Sequence, residues 1–150
     1  MTLHLGDPDV QNGGCLALMR LCITPEHVDT ILQEGGARAI VEAMREHAMH
    51  KTFQDYALSF LSTLLEWGHE ESREQRATLL RTSGAAQTTL DVVRNHESLW
   101  HSSREVDGER DTDAVKRAAL ELLESLGFAE DDIEHALEHN QPLTNPQPPK

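Results

Sequence analysis

The chain has little of several things that would point to a specific class of function. Aromatic residues make up 4% of its 150 residues, and 13 lysines and arginines stand against 26 acidic residues. With so few aromatics, the core has to be built mainly from aliphatic side chains. The formal net charge of −13 argues against nucleic-acid binding, because a phosphate backbone requires a basic surface. It also argues against binding to an anionic membrane surface. It makes basic proteins or peptides the electrostatically favoured partners, although an acidic surface more often serves only solubility.

Long apolar runs and paired cysteines are also missing. No apolar run approaches the roughly 20 residues that cross a bilayer, and the first residues lack the patterns of a signal or transit peptide. Cys15 and Cys22 lie two turns apart on one predicted helix, about 10.5 Å in rise, which is too far for a disulfide. We therefore expect reduced cysteines in the core, no membrane insertion and a cytoplasmic protein.

Helical periodicity is present along most of the chain, whereas no segment alternates like a half-buried strand. Capping residues, prolines and glycines mark the helix ends. The predicted helices cover residues 8–22, 25–34, 37–47, 52–67, 70–81, 85–94, 113–126 and 129–139. The sequence therefore predicts an all-α fold.

The predicted domain spans residues 7–139, after a short N-terminal lead of residues 1–6. Residues 95–111 are rich in His, Ser and acidic residues without a period, which predicts a mobile loop. The acidic helix at residues 129–139 is interpreted as a polar C-terminal cap. Residues 140–150, rich in Pro and Gln, are predicted to be a disordered tail.

The chain partly repeats itself. Residues 11–21 are echoed by residues 54–64, a shift of 43, and residues 35–47 are echoed by residues 84–96, a shift of 49. A period in the forties built from helices is typical of a stacked helical solenoid.

This pattern resembles armadillo-type repeats over residues 10–126, most specifically in Glu-Gly-Gly-Ala at 34–37 followed by Ile-Val-Glu-Ala-Met-Arg-Glu-His at 40–47. The related HEAT-type solenoid stays open as an alternative. The resemblance implies a short right-handed α-solenoid of about two and a half repeats. Its third helices, at residues 8–22, 52–67 and 113–126, would line a concave groove.

In the nuclear-import adaptors of that family, a ladder of Trp and Asn along the groove holds an extended basic peptide. Other residues occupy those positions here, so we expect no binding of nuclear-import signals of that type. The Trp positions hold Leu16, Ser59 and Glu121, and the Asn positions hold Arg20, Thr63 and Ser125.

The sequence thus predicts a non-enzymatic protein–protein interaction scaffold or a subunit of a larger assembly. The partner is a protein, such as a basic peptide segment, an assembly subunit or a second copy of the chain. It would bind through the groove or through the open N-terminal end, which has no polar helix before it. The candidate partner-binding residues are Leu16, Arg20, Ser59, Thr63, Glu66, Trp100 and Glu121.

A ubiquitin-binding adaptor is the alternative function. Leu126-Gly127-Phe128 resembles the Met-Gly-Phe-like turn of ubiquitin-associated domains, although the third helix of that domain is missing. The other interpretation of this turn is an ordinary glycine C-cap with the Phe packed back on its helix.

Catalytic and metal sites have weak signals. His135 and His139 have the i, i+4 spacing of a two-His chelate, but acidic, exposed positions flank them, which favours a solvated face. Cys15 and Cys22 lie on an apolar face, where a thiol is inert. We therefore predict no catalytic residues, no metal and no cofactor.

Overall fold

The structure, a computed structural model, describes residues 6–95 and 111–144, with side chains in the second range described from residue 114 onward. Every regular element in these ranges is helical, which confirms the all-α prediction. A single 3₁₀ turn, Glu70–Ser72, precedes α5. The helices are α1 (Pro8–Leu21), α2 (Pro25–Gln33), α3 (Gly36–Glu46), α4 (Lys51–Glu66), α5 (Arg73–Thr82), α6 (Ala85–Asn95), α7 (Asp111–Ser125) and α8 (Glu130–Glu138). The predicted loop lies, except for its end residues, outside the described residues.

The helix starts follow from local chemistry. The Asp7 carboxylate accepts hydrogen bonds from the backbone N–H groups of Asp9 (3.0 Å) and Val10 (3.3 Å), so it caps α1. Gly35 and Gly84, just before α3 and α6, have φ angles of 81° and 86°, a left-handed conformation that disfavours a Cβ. The 49-residue echo therefore repeats in backbone conformation as well as in sequence.

Helix α4 is at the centre of the fold. Eight of its side chains are buried, on more than one face, and it packs against α1, α3, α5 and α7. A helix that is apolar on this much of its surface has to be covered on several sides. The buried residues are Phe53, Gln54, Ala57, Leu58, Phe60, Leu61, Leu64 and Leu65.

Helices related by the two sequence echoes pack against each other, and so do two further pairs of helices. Helix α1 contacts α4, and α4 contacts α7; α2 contacts α5, and α3 contacts α6. Helix α8 packs against α6. Together these contacts place one aliphatic core between the helices.

A buried glutamine joins α3 to α4. Gln54 Nε2 donates to the carbonyl oxygens of Met44 (2.9 Å) and His47 (2.8 Å), which belong to the C-terminal end of α3. Those carbonyls have no partner within their own helix, so the side chain acts as a cap. Gln11, its equivalent in the first echo, is also fully buried.

Among the described residues, none forms a helix that is both long and apolar enough to cross a lipid bilayer.

Candidate partner-binding surfaces

Six of the seven candidate partner-binding residues lie on α1, α4 and α7, and α4 contacts both of the other two helices. The seventh, Trp100, lies outside the described residues. All six are exposed or half-buried, so the core does not depend on them. The six are Leu16 and Arg20 on α1, Ser59, Thr63 and Glu66 on α4, and Glu121 on α7.

A shallow depression of about 230 Å³ between α4 and α7 brings two of these residues together, Glu66 and Glu121. Glu66 Oε1 accepts a hydrogen bond from Arg73 Nη2 (2.8 Å), and this bond raises the pKa of Arg73. The same guanidinium nitrogen donates to the carbonyl oxygen of Ser125 (3.4 Å). Arg73 does not line the depression, but it hydrogen-bonds to two residues that do, Glu66 and Ser125, a contact that we did not predict from the sequence.

Helix α1 leaves large aliphatic side chains in solvent. Leu21 is 55% exposed and Ile23, just after the helix, is 69% exposed. Within α1 itself two residues are buried, Gln11 and Cys15, in contrast to the eight of α4. Leu21 is the last residue of α1, so this exposed aliphatic surface lies at the C-terminal end of the helix.

The turn between α7 and α8 is packed into the protein. Leu126 and Phe128 are both buried, and Gly127 has a φ angle of 93°. The Phe128 N–H donates to the Leu123 carbonyl (3.2 Å), the hydrogen bond that defines a glycine C-cap. The turn therefore has the geometry of a helix cap, without the exposed apolar patch that a ubiquitin-binding turn would present.

The thiols and the histidine pair are placed in different surroundings. Both cysteines are buried, and desolvation raises the pKa of Cys15 to about 12, which removes the thiolate needed for nucleophilic chemistry.

The rings of His135 and His139 stack with centroids 4.2 Å apart. In residues 6–95 and 114–144, no group of three or more His, Cys, Asp and Glu is placed to hold a metal ion.

A row of arginines on α5 and α6 donates hydrogen bonds to backbone carbonyls, a role that we did not predict from the sequence. Arg76 is 2% exposed, and it donates from Nε to the Leu65 carbonyl (3.0 Å) and from Nη1 to the His69 carbonyl (2.8 Å). The Leu65 carbonyl belongs to the last turn of α4, where carbonyls lack an intrahelical partner, and the His69 carbonyl, just after the helix, also accepts from the Ser72 N–H (3.0 Å).

Other arginines of this row act in the same way on α7 and α8. Arg81 Nη1 donates to the Leu126 carbonyl (2.7 Å), and Arg94 Nη2 donates to the carbonyls of Ala136 (2.9 Å) and Gln141 (2.6 Å). The contact to Gln141 fixes the first residues after α8 against α6. We call Arg73, Arg76, Arg81 and Arg94 the arginine seam.

A second cavity, of about 370 Å³, lies between α7 and α8. Its apolar part is formed by Leu120, Ile133 and Leu137, and charged side chains surround these residues. We call it the acidic groove; it is lined by Lys116, Leu120, Glu124, Glu130, Ile133, Glu134, Leu137 and Glu138. The sequence indicated the acidic character of α8 but not a cavity beside it.

No protein-family model matches this chain, and no curated protein and no solved structure matches it either. Packing, exposure and charge are therefore the basis of the functional conclusion.

Proposed function

We propose that this protein is a non-enzymatic protein-interaction scaffold, built as a short right-handed α-solenoid of about two and a half armadillo-like repeats. The observation that supports this proposal is the packing of equivalent helices against each other: α1, α4 and α7 in one row, α2 with α5, and α3 with α6. Stacking of this kind produces an extended surface along one row of helices.

The row of α1, α4 and α7 is the surface that we assign to the partner. Ser59, Thr63 and Glu66 on α4 are spaced at i, i+4 and i+7, and so share one side of that helix. They are exposed or half-buried, so the fold does not require their chemistry. Glu121 on α7 meets Glu66 at the same depression, which extends this polar surface across two helices.

The aliphatic side chains at the end of α1 support a second contact region. Exposed Leu21 and Ile23 are suited to burial against an assembly subunit or a second copy of the chain, since burying apolar area favours association. A cytoplasmic location is part of the proposal, because both cysteines are free, as is usual in a reducing compartment.

Site-specific photo-crosslinking in the native cell tests the assignment. A photoreactive residue placed at Ser59 or at Glu121 should capture the same partner protein. Placed at Arg38, whose side chain is 78% exposed on α3, it should not. No captured protein from α4 and α7, or equal capture from Arg38, would contradict the assignment.

Sedimentation of the purified chain tests the α1 region separately. If this region mediates self-association, Leu21→Ser combined with Ile23→Ser should reduce the sedimenting mass at high concentration. Leu79→Ser removes another exposed aliphatic side chain and serves as the control. If neither the double variant nor the Leu79→Ser control changes the sedimenting mass, the α1 region does not mediate self-association, and the α1, α4 and α7 row is left as the binding surface.

A further inference from the structure

We propose that the acidic groove between α7 and α8 binds a basic amphipathic helix of a partner protein. The groove shares α7 with the α1, α4 and α7 row, but none of its lining residues lines the depression between α4 and α7, and the inference does not depend on the function proposed for that row.

The shape of the groove suits one face of a helix. Leu120 on α7 is half-buried, as is Leu137 on α8, and Ile133 forms the buried part of the cavity. The volume of about 370 Å³ is at the low end of the roughly 300–1,000 Å³ that ligand pockets span. It accommodates a few aliphatic side chains of a partner, which is how an amphipathic helix docks in a groove between helices.

The charge around the groove defines the chemistry of the occupant. Four glutamates and one lysine surround the apolar residues. Within residues 6–95 and 114–144, none of the four glutamates forms an ion pair. An occupant with Lys or Arg beside its aliphatic residues would supply the missing partners, whereas nucleic acid or an anionic lipid surface would be repelled. The four glutamates are Glu124, Glu130, Glu134 and Glu138.

Glu130 lies in the first turn of α8, where the helix dipole favours an anion, but the other three glutamates are placed against the stability of their own helices. Glu130, Glu134 and Glu138 follow one another at i, i+4 spacing on α8, and like charges at that spacing repel. Glu138 and Glu124 also lie in the last turns of α8 and α7, where the helix dipole disfavours an anion. Residues that break a local stability rule without compensation inside the protein are typical of functional surfaces.

A designed peptide tests the groove directly. The probe is a fluorescein-labelled helix of about 18 residues, or ~5 turns, with Leu along one face and Lys on the others. One control peptide has the same composition with its Leu residues distributed around the helix; the other has Glu in place of Lys. The full chain should bind the first peptide more tightly than either control, as measured by fluorescence anisotropy.

Matched variants separate the groove from the overall negative charge. Glu134→Gln with Glu138→Gln should weaken binding about tenfold at low salt, whereas Glu34→Gln with Glu71→Gln, the same charge change at exposed sites outside the groove, should weaken it less than about twofold. Circular dichroism of each variant confirms that the fold is intact. Amide chemical-shift changes caused by the peptide should be concentrated in α7 and α8.

Several results would overturn the proposal. Equal weakening by the two pairs of variants, or equal binding of the peptide with distributed Leu residues, would mean general attraction to an acidic protein. Shift changes outside α7 and α8 would place the peptide elsewhere. Contacts from residues 96–110 to Leu120 or Leu137 in the free protein, or a dimer that buries them, would assign the groove to another occupant.

Discussion

The arginine seam and the acidic groove both lie where helices end, but the charged groups of the seam have partners within the protein and the carboxylates of the groove do not form ion pairs among the described residues. In the seam, guanidinium groups donate to the carbonyls at or just after the ends of α4, α7 and α8. Carboxylates in that region have arginine partners, such as Glu66 with Arg73. In the groove, carboxylates stand at the ends of α7 and α8 without an ion-pair partner in the part of the chain that the structure describes.

This difference separates two uses of charge in one small domain. Charges in the seam complete the hydrogen bonding of the backbone and therefore stabilise the fold. In the groove, Glu124 and Glu138 oppose the dipoles of α7 and α8, and Glu134 and Glu138 repel each other at i, i+4 spacing, so these charges do not stabilise the helices that carry them. Substitutions in the two regions should consequently have opposite effects on stability.

The largest effect is expected from Arg76→Ala. It removes a buried charged donor and leaves the carbonyls of Leu65 and His69 without that partner, so the free energy of unfolding should fall by about 3–5 kcal/mol. Urea denaturation measures the change. Arg38→Ala, which removes an exposed i, i+4 pair with Glu42, should cost less than about 0.5 kcal/mol. Similar losses for both arginines would contradict the structural role of the seam.

Gly68→Ala should have the next largest effect. A Cβ at Gly68 would lie 2.5 Å from Arg76 Nη1, so the guanidinium would have to move away from its acceptors. We expect a loss of about 1–3 kcal/mol. Gly13 is a matched control inside α1, with nothing within 4 Å of its added Cβ; Gly13→Ala should raise stability by about 0.5–1 kcal/mol. Thermal or urea unfolding distinguishes the two signs, and a gain from Gly68→Ala would disprove the close contact.

The smallest effect gives the most direct contrast between the regions. Glu66→Gln removes the partially exposed pair with Arg73 and should cost about 0.5 kcal/mol. Glu138→Gln removes an unpaired carboxylate from the last turn of α8 and should raise stability by about 0.3–1 kcal/mol. Urea unfolding at low ionic strength shows both changes, and added salt should reduce them. A change of the same sign at both sites would remove the distinction between seam and groove.

Much of the helical framework could be predicted from local signals. Asp7 with the following proline marks the start of α1, and Gly35 and Gly84 mark the starts of α3 and α6, because each position requires a cap or a left-handed backbone. The echoes at 43 and 49 residues also indicated which helices are equivalent. These signals are visible because single residue types carry them.

The arginine seam could not be predicted in this way. Arg73 and Arg76 flank Glu74 and Gln75 in the polar first half of α5, a pattern that is typical of a solvated helix face. The acceptors of Arg73, Arg76 and Arg81 are backbone carbonyls at or just after the ends of other helices, α4 and α7. Because every residue has a carbonyl, the sequence does not indicate which ones act as acceptors. The tertiary arrangement alone makes these arginines structural.

The candidate surfaces were predicted in part. Exposure of Ser59 and Glu121 followed from their positions on amphipathic helices, and their placement on contacting helices was an expectation from the armadillo resemblance. The acidic groove was missed because its carboxylates were interpreted as the polar outside of a capping helix. A cavity depends on the gap between two helices, and the composition of one helix does not reveal it.

The hydrogen bond from Arg81 to the Leu126 carbonyl links residues 45 positions apart in the chain. An array of repeats held only by nearest neighbours frays from its ends, one unit after another. Here a side chain of α5 holds the end of α7, so the two helices have to open together. Amide hydrogen exchange should therefore report α5 and α7 as one cooperative unit with a shared opening free energy.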